Sequence, residues 1–199
     1  MQISTKKFIL LAGLTLVCGL CVFTSLTAAE AKDGTWTPLF NGKDLTGWKG
    51  ENGVTAEVVE GNLQIFKGQG WLRTEKEYKD FILELEWRAY EGNYDSGIYL
   101  RSLIGGAPWP KNGFQVNLRY NAIGALVKDS KTLVPAEIPK LPTNKWVKMR
   151  LEVIGKKAKL IINGEDNWET DLIDIEKGYV GIQIEDRKLD FRNIRIQEK

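Results

Sequence analysis

Apolar and polar positions alternate through the middle of the chain in three bursts. Phe81, Leu83, Leu85, Trp87 and Ala89 alternate with Ile82, Glu84, Glu86 and Arg88. Ile98 and Leu100 alternate with Tyr99 and Arg101, and Phe114, Val116 and Leu118 with Gln115, Asn117 and Arg119. A period of two is the signature of a strand with one face buried, because successive side chains point to opposite sides. The same pattern recurs at Thr55–Val59 and Leu63–Phe66 around Glu60-Gly61-Asn62, at Trp71–Thr74, and at Lys145–Ile154. It continues from Ala158 to Ile162, around Trp168, at Tyr179–Ile184 and at Leu189–Ile196. In the last run Leu189 and Phe191 have one parity and Ile194 and Ile196 the other, which predicts a bulge near Arg192-Asn193. Helical periodicity is sustained nowhere after the first thirty residues. Many short strands separated by turn signals predict an all-β, antiparallel β-sandwich.

Two stretches break the pattern. Gly105 to Gly113 carries two prolines and three glycines around Trp109, and Ser130 to Asn144 carries Pro135, Pro139 and Pro142. Both are expected to be irregular loops, of the kind that often borders a binding site.

The start of the chain belongs to a different class. Lys6 and Lys7 precede an apolar run from Phe8 to Leu26, and Ala29-Glu30-Ala31 supplies a small-x-small cleavage site. This reads as a signal peptide over residues 1–31, with residues 32–199 forming one exported domain, periplasmic or extracellular. An uncleaved membrane anchor is the alternative. A lipid anchor is disfavoured, because Val17 and Leu20 precede Cys18 and Cys21 where a small residue is wanted. Cleavage removes both cysteines, leaving a domain without disulfide or thiol chemistry.

Composition narrows the chemistry. The 199 residues include 28 Lys and Arg, 26 Asp and Glu, and no histidine. A balanced charge points away from nucleic acid and anionic membranes as partners. Without histidine, His-based triads and the usual zinc or iron sites are excluded. A base must be a carboxylate, Lys or Tyr, and no cofactor is expected. Any metal would be a hard cation such as Ca²⁺ held by oxygens.

Parity places Glu86, Arg88, Tyr99, Arg101, Gln115 and Asn117 on one polar face, if their three strands share a sheet. Arg88 and Arg101 are then the expected anchors, since a guanidinium fork holds a carbonyl or hydroxyl oxygen. The bland alternative is a surface ion network with Glu84 and Glu86. Glu84 and Glu86, two apart on one strand, also permit an ordinary two-carboxylate glycosidase arrangement. Among the aromatics, Tyr94, Tyr99 and Trp109 are the ligand-facing candidates, Trp87 has core parity, and Trp48 and Trp71 are open to either role.

Several segments together resemble a known family. Leu39-Phe40-Asn41-Gly42-Lys43-Asp44-Leu45-Thr46-Gly47-Trp48 is similar to the opening signature of the bacterial 3-keto-disaccharide hydrolase domain. Asp80 to Arg88 resembles its central strand, and Asp95-Ser96-Gly97-Ile98-Tyr99-Leu100-Arg101 its Asn-Ser-Gly-Ile-x-x-Arg segment, with Asp95 where Asn is usual. Gly124-Ala125-Leu126, Asn163-Gly164 and Phe191 to Ile196 continue the likeness in order, from Trp36 to the C-terminus. The resemblance implies a concanavalin A-like jelly roll acting on carbohydrate. Two positions depart from the pattern. Gln115 stands where the family's Gly-x-Glu-x-Gln has Glu, and Glu185 where its Gly-Leu-Gln-x-His has His.

The implied reaction cleaves 3-keto-glycosides: a base takes the C2 proton acidified by the C3 ketone, the C1 oxygen leaves, and water adds. Glu86, Arg88, Arg101 and Glu185 are the expected catalytic residues. Tyr99, Gln115, Asn117, Asp95 and Trp109 are the expected substrate-binding residues. An amide at 115 cannot serve as a base, so a non-catalytic glycan-binding module of the same fold is the second expectation.

Overall fold

The computed structural model describes residues 34–136, 138 and 141–199; the expected signal segment and Pro139 lie outside them. Among the described residues there are fifteen strands and no helix, hence no helix long and apolar enough to cross a membrane. Residues Gly34–Lys199 form one compact unit.

The first sheet runs β13 (Glu165–Thr170), β12 (Lys157–Ile162), β11 (Val147–Ile154), β6 (Phe81–Ala89), β15 (Leu189–Glu198), β4 (Asn62–Ile65), β3 (Glu57–Val59), and β1 (Thr37–Pro38) pairs with β15. The second runs β10 (Lys131–Val134), β9 (Leu126–Lys128), β8 (Phe114–Asn117), β7 (Gly97–Ser102), β14 (Gly178–Glu185), β5 (Gln69–Tyr78), β2 (Trp48–Glu51). The central pairings are antiparallel throughout.

The period-two pattern explains why these strands form and what they bury. Leu83, Leu85 and Trp87 of β6 lie opposite Leu151, Met149 and Val147 of β11, and Trp87 and Leu83 lie opposite Phe191 and Ile196 of β15. These side chains pack into one core with Leu72, Ile98, Leu100, Phe114, Val116 and Ile182 of the second sheet. Each fully buried large apolar side chain contributes roughly 1.5–3 kcal/mol relative to exposure. Tyr94 is part of this core, 1 % exposed with its ring 5.6 Å from that of Trp87. It therefore does not face a ligand, contrary to expectation.

The predicted bulge is present. Arg192 pairs with Glu86 and Arg195 with Glu84, so β15 carries one extra residue, and Asn193 takes φ +52°. That left-handed conformation suits asparagine better than most residues. The stretch beginning at Ser130 is only partly irregular. Lys128 pairs with Lys131 across Asp129 and Ser130, both at positive φ, in a tight hairpin that leads into β10.

One feature of the topology governs the site. β6 belongs to the first sheet, whereas β7 and β8 belong to the second. The chain crosses the sandwich between Ala89 and Gly97, so equal parity on the two sides of that crossing means opposite outer faces of the molecule.

Candidate active site on the second sheet

The expected single polar face over β6, β7 and β8 does not exist. Glu86 and Arg88 lie on the outer face of the first sheet, Tyr99, Gln115 and Asn117 on that of the second. Nor are the first-sheet groups available. Glu84 accepts from Arg150 Nη1 at 2.7 Å and from Arg195 Nη2 at 2.5 Å, and Glu86 from Arg192 Nε at 2.8 Å. Arg88 donates to the buried Asp190 from Nε at 2.9 Å and from Nη2 at 2.7 Å. Asp190 also accepts from Tyr90 Oη at 2.6 Å and from Gln64 Nε2 at 2.7 Å. Trp146 lies against Arg192 and Arg88, 3.9 and 4.6 Å from its ring centre, and Trp36 covers Arg195 at 4.5 Å.

Arg101 is corrected for a different reason. It sits at φ +48° near the end of β7, which turns its side chain away from the Tyr99 face, and it is 1 % exposed. Its Nε donates to Lys79 O at 2.5 Å, its Nη1 to Gly155 O at 2.6 Å and Ile175 O at 2.9 Å, and its Nη2 to Asp80 Oδ1 at 2.9 Å. The guanidinium is a clamp on three separate turns, with little left to offer a ligand.

The remaining expected residues come together. Tyr99, Gln115, Asn117, Asp95, Trp109 and Glu185 all line one recess of about 370 Å³ on the outer face of the second sheet. Tyr99 pairs with Gln115 on β8 and with Gly181 on β14. Trp71 of β5 lies beside it, its ring 5.6 Å from that of Tyr99 in an edge-to-face contact. Two glycines make the floor possible by lacking a side chain. A Cβ on Gly97 would fall 2.1 Å from Gln115 Nε2, and one on Gly181 2.5 Å from Trp71 Cε3.

The floor is a directed chain of hydrogen bonds. Gln115 Nε2 donates to Gln183 Oε1, and Gln183 Nε2 donates to Glu185 Oε2 at 2.7 Å. Gln115 and Gln183 are both buried. Gln183 is a site residue that the expectations did not include, although its parity with Glu185 in Gln183-Ile184-Glu185 already put it on this face. Arg119, Asp129 and Thr132 also line the recess; the last two arrive on the unforeseen β9–β10 hairpin. On another side, Asn52 Nδ2 donates to Pro108 O at 2.8 Å and to Gly106 O at 3.3 Å, tying down the loop that carries Trp109.

Charge gathers at one lip. Asp95 lies 3.4 Å from Arg119 across an ion pair. Burial, and next the negative charge of Glu185, push the Asp95 carboxyl up to about 6, against the pull of Arg119 and Arg187. Burial also raises the Tyr99 phenol, helped by the charges of Glu185 and Asp95, so it remains a protonated hydrogen-bond donor. The site thus presents an acid that changes charge near neutrality, a neighbouring cation, a phenol and a bed of amides. Among the described residues no group of three or more acidic side chains is placed to hold a metal ion.

The profile of the 3-keto-alpha-glucoside-1,2-lyase-like domain matches residues 35–197. The chain belongs to this family. Within the lyase-like domain, Gln115, Gln183 and Glu185 fall on the two strands, β8 and β14, where the sequence departs from the resembled pattern. No curated protein sequence matches the chain.

Solved structures share the fold at low identity. A protein of Parabacteroides distasonis assigned provisionally to the glycosyl hydrolases superposes with a TM-score of 0.70 at 22% identity, over 87% of this chain and 98% of that one. The carbohydrate-binding module CBM66 of Bacillus subtilis gives 0.65 at 19% identity, over 76% and 96%. The carbohydrate recognition domain of Emp47p gives 0.62 at 14%, over 85% and 99%. The lyase-like domain is therefore built on the same antiparallel sandwich as these proteins.

Proposed function

We propose that this is an exported carbohydrate-active enzyme whose recess on the second sheet cleaves 3-keto-glycosides. The observation that carries the reading is the convergence of Asp95, Glu185 and Arg119 at the lip of a recess floored by Tyr99, Gln115 and Gln183. A base that titrates near neutrality is well matched to removing a carbon-bound proton acidified by an adjacent ketone. Asp95 takes the C2 proton, and Arg119 meets the negative charge that develops on the C3 oxygen. The C1–O bond breaks as C1=C2 forms, and the departing oxygen takes the proton from Asp95 while Tyr99 donates a hydrogen bond. Water then adds across C1=C2, its oxygen to C1 and one proton to C2 by way of Asp95, which ends as it began. The net change is hydrolysis. Glu185, held by the amide chain, keeps Asp95 basic through its charge.

A second reading has its own support. The floor is rich in amides, Trp109 stands beside it, and hydroxyl recognition requires nothing more. The fold is also that of the Bacillus subtilis carbohydrate-binding module. On this reading the protein holds a glycan without cutting it.

Turnover of 3-keto-glucosides, measured beside calorimetric binding of the same sugars, separates the two. The parent should turn over, and Asp95→Asn should lower kcat by about 10²-fold or more with binding kept. A parent that binds every 3-keto-glucoside and turns over none would establish the binding module. Unchanged turnover in Asp95→Asn would remove Asp95 from the reaction. Export predicts a mature protein lacking residues 1–31, checked by mass spectrometry of its N-terminus.

A further inference from the structure

The β9–β10 hairpin that walls the Tyr99 recess turns on an unusual pair. Asp129 and Ser130 hold φ +48° and +65°, a conformation that glycine adopts without steric cost and most other residues do not. Three other hairpins among the described residues turn in two residues, at Glu60-Gly61, Gly155-Lys156 and Asn163-Gly164, and each has its glycine at positive φ. An added Cβ at Gly155 or Gly164 would meet nothing within 4 Å, so glycine serves the backbone there and not the space around it. The Asp129-Ser130 turn thus carries a strain that the chain avoids at its other hairpins. Such positions cluster where a ligand is held, and Asp129, Ser130 and Thr132 all line the recess. We infer that Asp129 and Ser130 determine specificity, by holding the hydroxyl groups on the edge of the sugar remote from the reacting carbons. The inference rests on the reaction proposed above, and adds to it two residues that read the substrate without entering the chemistry.

Register decides which edge they meet. Thr132 pairs with Val127, Val127 with Gln115, and Gln115 with Tyr99, in one row across four neighbouring strands. β7 and β9 are both antiparallel to β8 and so run the same way. Asp95 comes before Tyr99 on the first, where the ladder continues with Leu118 N donating to Ser96 O. Asp129 comes after Val127 on the second. The two acids therefore stand on opposite sides of the row. With C1, C2 and C3 of the ring at Asp95 and Arg119, the hydroxyls on C4 and C6 point toward the hairpin. The Asp129 carboxylate is free to receive them. Its neighbour Lys128 is spent on Asp174 at 2.7 Å, and among the described residues Asp129 has no ion-pair partner. A carboxylate offers one oxygen to each of two hydroxyl hydrogens, and the Ser130 hydroxyl adds a donor beside it.

The test uses methyl 3-keto-glucoside, its 4-deoxy and 6-deoxy forms, and the variants Ser130→Gly and Asp129→Gly, whose glycines suit the turn. Ser130→Gly should raise Tm by about 2 °C or more and yet raise KM for the full sugar about threefold or more. Asp129→Gly should raise KM about tenfold, the loss falling on KM rather than kcat and the pH profile of kcat keeping its shape. For at least one deoxy sugar, Asp129→Gly and the parent should have KM values within about twofold, because the hydroxyl that the carboxylate holds is already missing. A Ser130→Gly protein no more stable than the parent, or more stable with KM unchanged, overturns the inference. So do deoxy sugars that both suffer from Asp129→Gly as much as the full sugar does. If the parent binds methyl 3-keto-glucoside without cleaving it, the proposed reaction fails, and the same comparisons made in Kd by calorimetry uphold or overturn the inference. A parent that neither binds nor cleaves it overturns both.

Discussion

On the first sheet, Glu84 sits 2.7 Å from Arg150 and 2.5 Å from Arg195; on the second, the cation paired with Asp95 is Arg119, at 3.4 Å. The side chains of Glu84 and Asp95 are about equally exposed, 24% and 26%. Burial tends to raise both carboxyls. For Glu84 the hydrogen bonds and charges of the two arginines outweigh burial and hold it below its ordinary value of 4.5. For Asp95 burial and the charge of Glu185 prevail, and the carboxyl rises to about 6. Two arginines hydrogen-bonded directly to Glu84 thus outweigh its burial, whereas at Asp95 the pull of Arg119 and Arg187 does not offset burial and the charge of Glu185. A depression of about 600 Å³, walled by Glu84, Glu86, Arg150 and Arg195, lies on the first sheet. Its carboxylates are already paired, Glu84 with Arg150 and Arg195 and Glu86 with Arg192, and volume there is no sign of chemistry.

The strongest way to break this contrast is to remove a buried cation that makes four hydrogen bonds. Arg101→Ala leaves the Asp80 carboxylate unpaired and three turn carbonyls without their donor. It should cost about 3–5 kcal/mol of stability, read as a large fall in Tm and in denaturation midpoint. A variant as stable as the parent would show that Arg101 is not the clamp its contacts describe.

Asp95→Asn sharpens the contrast through its sign. The folded state holds the Asp95 proton more tightly than the unfolded chain. The parent should therefore lose stability as pH rises from the ordinary value of 3.8 to about 6 and no further, by roughly 1–3 kcal/mol. Asp95→Asn should lack that loss and be the more stable protein at pH 7. Denaturant titrations at pH 4 and 7 measure it, and parallel behaviour of the two proteins would mean that Asp95 is not strained by its surroundings.

Glu84→Gln gives the smallest effect and the opposite slope. Its carboxyl is lowered in the fold, so its stabilisation is present above pH 4.5 and fades as pH falls below. The loss at pH 7 should be about 1 kcal/mol or less, given partly exposed partners, with sugar turnover unchanged. A fall in turnover would bring the first sheet back as a functional face.

Period-two patterning was enough to read the strands, and even the bulge at Asn193, because a strand must bury one face. It could not read which sheet a strand joins. Glu86 and Tyr99 have equivalent parity but stand on opposite sides of the sandwich, since the crossing between Ala89 and Gly97 is set by tertiary packing. Arg101 shares the parity of Tyr99, yet a positive φ at that one residue takes it off the face. The β9–β10 hairpin was hidden by its turn, Asp129-Ser130, which adopts positive φ at both positions without a glycine. Tyr99, Gln115 and Asn117 were legible as neighbours because their strands do pair, whereas Asp95 and Glu185 entered through the family resemblance and the pairing of β14 with β7 brings Glu185 to them.

The amide chain under the recess has a polarity. A carboxylate can only accept, so Glu185 obliges Gln183 to point its NH₂ group toward it, and Gln183 in turn obliges Gln115 to donate. A single negative charge at one end therefore fixes the rotamer sense of two buried amides. Gln115 is left with its carbonyl oxygen for whatever enters, and the floor selects a ligand that offers a hydroxyl hydrogen at that end. Replacing Glu185 by a group able to donate would let both amides turn over. The floor would then present an NH₂ group where it now presents an oxygen, a change in what is read without any change in shape.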